Sequence, residues 1–224
     1  MIKLSYSSLT NIHNGHEWLN RQFGIPVPDY PFLKEGKEAH RIIQDHVSGK
    51  KKHEFLKHIE IDFPIVEEES DEKDYKKYWE GKKKCKFSFI VKDKYEISGY
   101  LDGLDPKNDR FLEIKTSSQL WSMSKFKNDI QRKIYALAHP KFTDAYLITG
   151  SKDSKVWEKE PPKLYSVSLT QKDRDEALAW IMKGIKILEE GKFDGGLDEE
   201  GYCESCFWNM PRYPELANCN FLRR

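Results

Sequence analysis

Three side chains near the middle of the chain have the types and spacing to do chemistry together: Asp102, Glu113 and Lys115. They belong to two segments, Ile97-Ser98-Gly99-Tyr100-Leu101-Asp102 and Phe111-Leu112-Glu113-Ile114-Lys115-Thr116. Residues two apart on a strand face the same side. Glu113 and Lys115 therefore point together, while Leu112 and Ile114 enter the opposite, apolar layer. A short reverse connection brings the Asp102 carboxylate beside Glu113. Two carboxylates and a backbone carbonyl, that of Ile114, make the hard, oxygen-rich site that Mg2+ or Mn2+ prefers. A cation there lowers the pKa of bound water and offsets charge on a phosphorane-like transition state. Lys115 is placed to orient or deprotonate the attacking water, or to stabilise the developing charge. Phosphodiester hydrolysis needs these parts in one pocket. The plain alternative is a Glu113–Lys115 ion pair on a solvated strand, with Asp102 a turn residue.

The order of motifs along the chain is more specific than any one of them. Gly36-Lys37-Glu38-Ala39-His40 comes first, Gly99-Tyr100-Leu101-Asp102 second, Glu113-Ile114-Lys115-Thr116 third and Gln131-Arg132-Lys133-Ile134-Tyr135 fourth. In that order they resemble the PD-(D/E)XK nuclease superfamily, in its RecB-like exonuclease branch. That branch includes CRISPR-adaptation nucleases and the mitochondrial genome maintenance exonuclease. The opening Ser5-Tyr6-Ser7-Ser8-Leu9 is similar to its N-terminal helix, so the resemblance spans most of the chain. It implies an α/β fold, a restriction-endonuclease-like core with a mixed central sheet flanked by helices. It also implies that His40 joins Asp102, Glu113 and the Ile114 carbonyl around the metal. Gln131 and Tyr135, four apart on one helix face, would hold Lys115 and touch the substrate backbone. The function implied is Mg2+- or Mn2+-dependent hydrolysis of DNA, by an exonuclease acting on single-stranded ends or flaps. A structure-specific endonuclease and a catalytically silent DNA-binding or scaffold protein of the same fold are the alternatives.

The tail carries Cys203, Cys206 and Cys219, which read as a metal clip. Several members of the branch hold an iron-sulfur cluster with one N-terminal Cys and three C-terminal ones. Here no Cys precedes Cys85, and the stretch where the first ligand would stand carries His13 and His16. Three outcomes stay open: an iron-sulfur cluster with an unusual fourth ligand, Zn2+ held by three Cys and a His, or a metal-free tail packed through Trp208 and Phe221. Lysines at 50–52 and 82–84, with Tyr78, Trp79 and Trp121, suggest a path for unpaired nucleic acid. Lys127, one turn before Gln131, is placed to reach a phosphate. Solvated faces account for such runs equally well. Trp18, Phe111 and Trp180 read as core.

These residues need a scaffold, and its outline is legible. A helix is predicted from residue 7 to about 23, with a Pro-rich connector after it, and a second over 35–47. Strands over 86–91, 95–101 and 110–115 are expected to form an antiparallel meander. A single helix over 124–138, strands over 145–149 and 164–169, and a helix from Thr170 to about Glu190 follow. Charged residues 67–77 and the stretch 150–162 read as solvated loops. The whole is expected as one nuclease domain, 1–224, with N-terminal helices over 1–50, a catalytic core over 84–192, and a Cys tail over 195–224 packed on those helices. The chain has 224 residues, with 38% hydrophobic and 13% aromatic, enough for a real core. Lys and Arg number 38 against 37 Asp and Glu, and a net charge of +1 still permits a basic groove around an acidic site. No apolar run is long enough for a bilayer, and Met1-Ile2-Lys3-Leu4-Ser5-Tyr6 lacks the apolar stretch expected of a signal peptide. A cytoplasmic protein is expected, with DNA as its partner, no membrane association, and possible protein partners in replication, repair or CRISPR adaptation.

Overall fold

The strand that carries Glu113 and Lys115 is the middle of a five-stranded sheet, in the order β2-β5-β6-β7-β8. These are Ile65–Val66, Gly103–Asp105, Arg110–Ser117, Asp144–Ser151 and Lys163–Ser168. β6 and β7 run parallel, and every other pairing is antiparallel, so the sheet is mixed. A separate hairpin pairs β3 (Lys86–Val91) with β4 (Tyr95–Tyr100). Alongside β4 lies the start of β1 (Ile2–Ser5), where the Ile2 N–H donates to the Lys94 carbonyl at 2.8 Å. The helices are α1 (Tyr6–His13), α2 (Pro31–Val47), α3 (Met123–Asn128), α4 (Ile130–Ala138) and α5 (Gln171–Glu190). The structure is a computed structural model and describes residues 1–13, 31–66 and 85–190. The chain divides into two compact units: Met1–Lys3 with Tyr30–Leu178, and Leu4–Asp29 with Ala179–Arg224. No helix among the described residues is long and apolar enough to cross a membrane.

In the first unit, α2 buries Ala39, Ile43 and Val47, one turn apart, against Leu112, Ile114 and Ile148 of the sheet. Leu56, Ile59, Phe63 and Trp157 complete that core. The other face of β6 meets α4, where Phe111 packs edge-on to Tyr135 with ring centroids 5.7 Å apart. The alternation read from Phe111 to Lys115 is therefore what the sheet uses: Leu112 and Ile114 on one face, Phe111 on the other.

The expected meander does not form. β4 and β6 lie in different sheets, and the chain passes from one sheet to the other at Leu101-Asp102 before β5 pairs with β6. Side-chain alternation specifies which way residues face but not which strand lies alongside, and Asp102-Gly103 marks a break without saying which strand the chain joins next. Gly103 opens β5 because a Cβ there would stand 3.2 Å from the Leu112 Cβ across the ladder. The single helix expected over 124–138 is two. Asp129 is extended (φ −65°, ψ 121°), and its carboxylate accepts from the Gln131 and Arg132 N–H groups, capping α4. Buried Arg132 then reaches back to the carbonyls of Phe126 and Lys127 at 3.1 and 2.7 Å, and pairs with Asp173. The stretch 150–162 is largely exposed, as expected, but is anchored by a buried side chain. Trp157 is 2% exposed and donates its indole N–H to the Ser151 carbonyl. Thr170 and Asp173 cap α5 reciprocally, as expected.

Candidate active site

All the residues of the expected site that the structure describes lie within the first unit. Glu113 is 3% exposed, and its Oε1 lies 2.5 Å from Lys115 Nζ. The same ammonium donates to Gln131 Oε1 at 2.7 Å. Because that oxygen accepts, the Gln131 amide N–H2 must donate onward, and it does so to Tyr135 OH at 2.5 Å. The Tyr135 hydroxyl in turn donates to the Tyr100 carbonyl at 2.9 Å. A directed chain thus runs from Lys115 on β6, through α4, to the end of β4. Asp102 stands just past that end. Its Oδ2 accepts from the Ile114 N–H at 2.7 Å, and its Oδ1 lies 3.4 Å from His40 Nε2.

Local sequence explains why the segments meet. Gly99 leaves room for the Phe87 ring, which a Cβ would approach to 2.8 Å, and that ring packs edge-on against Tyr135. Thr116 donates its hydroxyl to the Gly36 carbonyl at 3.0 Å, one helical turn before His40. The first and third motifs are therefore hydrogen-bonded to each other, and the fourth is bonded to both Lys115 and the second.

The two carboxylates are driven apart. Burial pushes the Asp102 carboxyl up, but His40, the Ile114 N–H and Lys115 outweigh it and hold the group below the usual range. Burial and the Asp102 charge push Glu113 up to about 8, against the pull of Lys115. Burial also opposes the Lys115 charge, yet Glu113, Asp102 and Asp129 more than compensate, and the ammonium stays protonated. Lys115 is consequently a poor base and a strong fixed cation.

Some placements depart from expectation. Tyr135 is 3% exposed and its hydroxyl is committed to Gln131 and Tyr100, so it holds the site together and does not reach outward. Lys127 is exposed on α3, and the break at Asp129 removes it from the helix of Gln131. Among the described residues no three His, Cys, Asp or Glu side chains gather at metal-ligand spacing; Glu113 is turned onto Lys115. Lys125 of α3 lies over the Trp121 ring at 4.3 Å from the centroid, and Lys115 lies 5.4 Å from it. His13 stacks on Trp180 with centroids 4.2 Å apart and has a ring nitrogen 3.1 Å from the Trp180 carbonyl oxygen. Phe111 is fully buried. His16, Trp18, Tyr78, Trp79, lysines 82–84, Cys203, Cys206, Trp208, Cys219 and Phe221 lie outside the described residues.

No known family profile and no curated protein matches the sequence. Solved structures do. The chain is similar to the crystal structure of SSO0001, with a TM-score of 0.55 and 14% identity over 93% of this chain and 85% of that one. It is also similar to LHK-Exo, an alkaline exonuclease from Laribacter hongkongensis, in complex with dAMP. There the TM-score is 0.51 and the identity 11%, over 84% of this chain and 89% of the other. The fold is nuclease-like.

Within that nuclease-like fold, three contributors escaped the sequence reading. Asp129 caps α4 and adds negative potential at Lys115, Glu113 and Tyr135. Asn128-Asp129, two poor helix formers inside an apparent helix, was the available signal. Thr149 and the Tyr100 carbonyl had none, because their roles depend on neighbours distant in sequence.

Proposed function

We propose that this protein is a metal-dependent nuclease hydrolysing DNA phosphodiester bonds, an exonuclease of the RecB-like kind acting on single-stranded ends or flaps. The observation that carries the reading is the convergence of His40, Asp102, and Glu113 with Lys115 from three separated motifs, tied together by hydrogen bonds through Thr116 and through Gln131 and Tyr135 of the fourth. An ammonium has three N–H donors. Glu113 and Gln131 take two from Lys115, and the third is available to a scissile phosphate or to the attacking water. In the cation-free site Lys115 stays charged, which suits it to orienting the water and stabilising developing charge.

The donor chemistry fits Mg2+ or Mn2+. Asp102, Glu113, the Ile114 carbonyl and His40 would hold the ion, and Glu113, raised to about 8 first by burial and then by the Asp102 charge, would ionise more readily beside it. When bound, such an ion supplies Lewis acidity and a more acidic water. His40 and the Ile114 N–H fix the direction of the Asp102 carboxylate, while Lys115 and Gln131 fix the opposite wall. The bond that breaks is a P–O ester bond, with water as nucleophile and a hydroxyl as leaving group. The likeness to LHK-Exo, a protein seen with dAMP, agrees with a deoxynucleotide substrate.

A second reading keeps the DNA-binding surface without the chemistry. It is favoured by the Glu113–Lys115 pair, which engages a carboxylate the metal would need. One experiment separates the two. Purified protein is incubated with end-labelled single-stranded, flapped and duplex DNA, with Mn2+, Mg2+ or EDTA. Cation-dependent release of nucleotides, lost in Lys115→Ala and Glu113→Gln, is the expected result. Binding without cleavage under every cation supports the silent reading.

A further inference from the structure

Trp121 follows Lys115 closely in sequence and is only half-buried. Its position is built. The Trp121 N–H donates to Thr149 Oγ1 at 3.0 Å, and Thr149 is fully buried. In the parallel β6–β7 ladder Thr149 stands directly beside Lys115. The residue next to the site lysine in the sheet therefore fixes the backbone that presents the indole ring. Two ammonium groups share that ring: Lys115 Nζ at 5.4 Å from its centroid and Lys125 Nζ at 4.3 Å.

The electrostatics of this arrangement are incomplete. Lys115 has Glu113, but among the described residues no carboxylate pairs with Lys125, which is exposed. Two like charges drawn to one aromatic ring repel each other. An anion between or beside them relieves that repulsion, and a flat π system can take the face that Lys125 covers. A nucleotide offers both, a phosphate and a base. A duplex base does not, since its faces are already stacked on its neighbours.

We infer that Trp121 and Lys125 form a subsite for the unpaired nucleotide adjoining the scissile phosphate. The base stacks on the indole, Lys125 leaves the ring for that nucleotide's phosphate, and Thr149 keeps the platform in register with Lys115. The subsite rests on the nuclease reading for its position in the reaction, but its affinity does not depend on cleavage. Stacking on a π face tolerates all four bases, so the subsite selects for single-strandedness and not for sequence. Lys125 takes the part that Lys127 was expected to play.

The test measures fluorescence anisotropy of a dye-labelled oligo-dT and of a blunt duplex, in EDTA, with full-length wild-type, Trp121→Ala, Trp121→Phe, Lys125→Gln and Thr149→Val proteins. Trp121→Ala is expected to weaken oligo-dT binding by roughly tenfold or more, the effect of losing one base–aromatic stack. Trp121→Phe keeps most of the affinity. Lys125→Gln weakens binding severalfold and reduces its salt dependence, as loss of one phosphate contact requires. Thr149→Val gives a smaller loss, and the blunt duplex is insensitive to all four. Oligo-dT binding unchanged in both Trp121→Ala and Lys125→Gln overturns the subsite, as does a wild-type protein that fails to bind oligo-dT. Lys125→Gln, at an exposed position, serves if Trp121→Ala is poorly folded. If Trp121-dependent binding is found but no cation supports cleavage, the subsite stands and the hydrolase reading falls. If cleavage is found with an unchanged KM in Trp121→Ala, the reverse holds.

Discussion

Glu113 and Asp102 reach the same site from backbones held in opposite ways. Glu113 lies in the middle of β6, one residue past the last β5 pair at Leu112 and in register with Leu147 of β7. Its position is set by ladder hydrogen bonds on which no single side chain has a veto. Asp102 belongs to no strand: β4 ends at Tyr100 and β5 begins at Gly103. It is kept in place by the Leu101 N–H on the Cys85 carbonyl, by Tyr135 on the Tyr100 carbonyl, and by its own carboxylate on the Ile114 N–H. Two of those three bonds depend on side chains. A site of this design has one wall fixed by the fold and another fixed by a few polar contacts, and the second is where geometry can be adjusted or lost.

The largest expected effect tests the fixed wall. Lys115→Ala and Glu113→Gln each reduce cleavage by about a thousandfold or more, the scale of removing a preorganised charge, while thermal melting at about pH 4, where Glu113 is largely protonated folded or unfolded, moves little because β6 stays paired. A large loss of stability in either variant would show that the wall is not held by the ladder. Next, Asp102→Asn and Asp102→Ala separate charge from position. Asn retains an oxygen for the Ile114 N–H; Ala does not, and leaves a buried donor unsatisfied. Both lose roughly a hundredfold or more in activity, but Asp102→Ala alone is destabilised by about 1–3 kcal/mol in denaturant unfolding. Equal stabilities would break the comparison.

Tyr135→Phe is a milder disturbance of the same wall. It removes the donor to the Tyr100 carbonyl and costs about 1 kcal/mol of stability. Activity is expected to fall about tenfold, entirely in kcat, because the hydroxyl is buried among protein groups and touches no substrate. A rise in KM with kcat unchanged would place it on the substrate instead.

The smallest effect is a pH dependence. Glu113 is raised to about 8 by burial and the Asp102 charge, so the folded chain without cation binds a proton that the unfolded chain releases near its ordinary value. Its stabilising contribution is full below the unfolded pKa and declines as pH rises toward 8. Glu113→Gln should remove that decline. His46 and His53, whose pKa values burial lowers, act oppositely, losing stability as pH falls below their unfolded range, so the difference between wild type and Glu113→Gln is the clean measurement. Uptake of Mn2+ should release up to about one proton near pH 7, read by calorimetry in buffers of different ionisation enthalpy. Cation binding with no proton release would assign the metal to Asp102 and His40 without Glu113.

How much of this was legible in the sequence follows from the range of the forces involved. Facing is a local property. Alternation from Phe111 to Lys115 correctly put Glu113 and Lys115 opposite Leu112 and Ile114, and the four-residue spacing put Gln131 and Tyr135 on one face of α4. The strands 86–91 and 95–100 and the caps Thr170 and Asp173 were equally local and equally visible. The motifs together pointed to the α/β, nuclease-like fold that the solved structures share.

Partnership is not local, and only the tertiary structure decided it. Asp102-Gly103 signals a break but not that the chain leaves one sheet for another, because the hydrogen-bond partners gained there, Cys85 and Ile114, lie on other segments. Asp129 could have been suspected as a helix breaker, but its effect on Lys115 arises from where α4 docks. Thr149 became part of the site through its register beside Lys115 and its bond to Trp121. The sequence by itself determined which side chains carry the charge and which way their strands present them. Long-range pairing decided the distances between those charges, and through burial and Coulomb's law it also decided that two similar carboxylates would titrate in opposite directions.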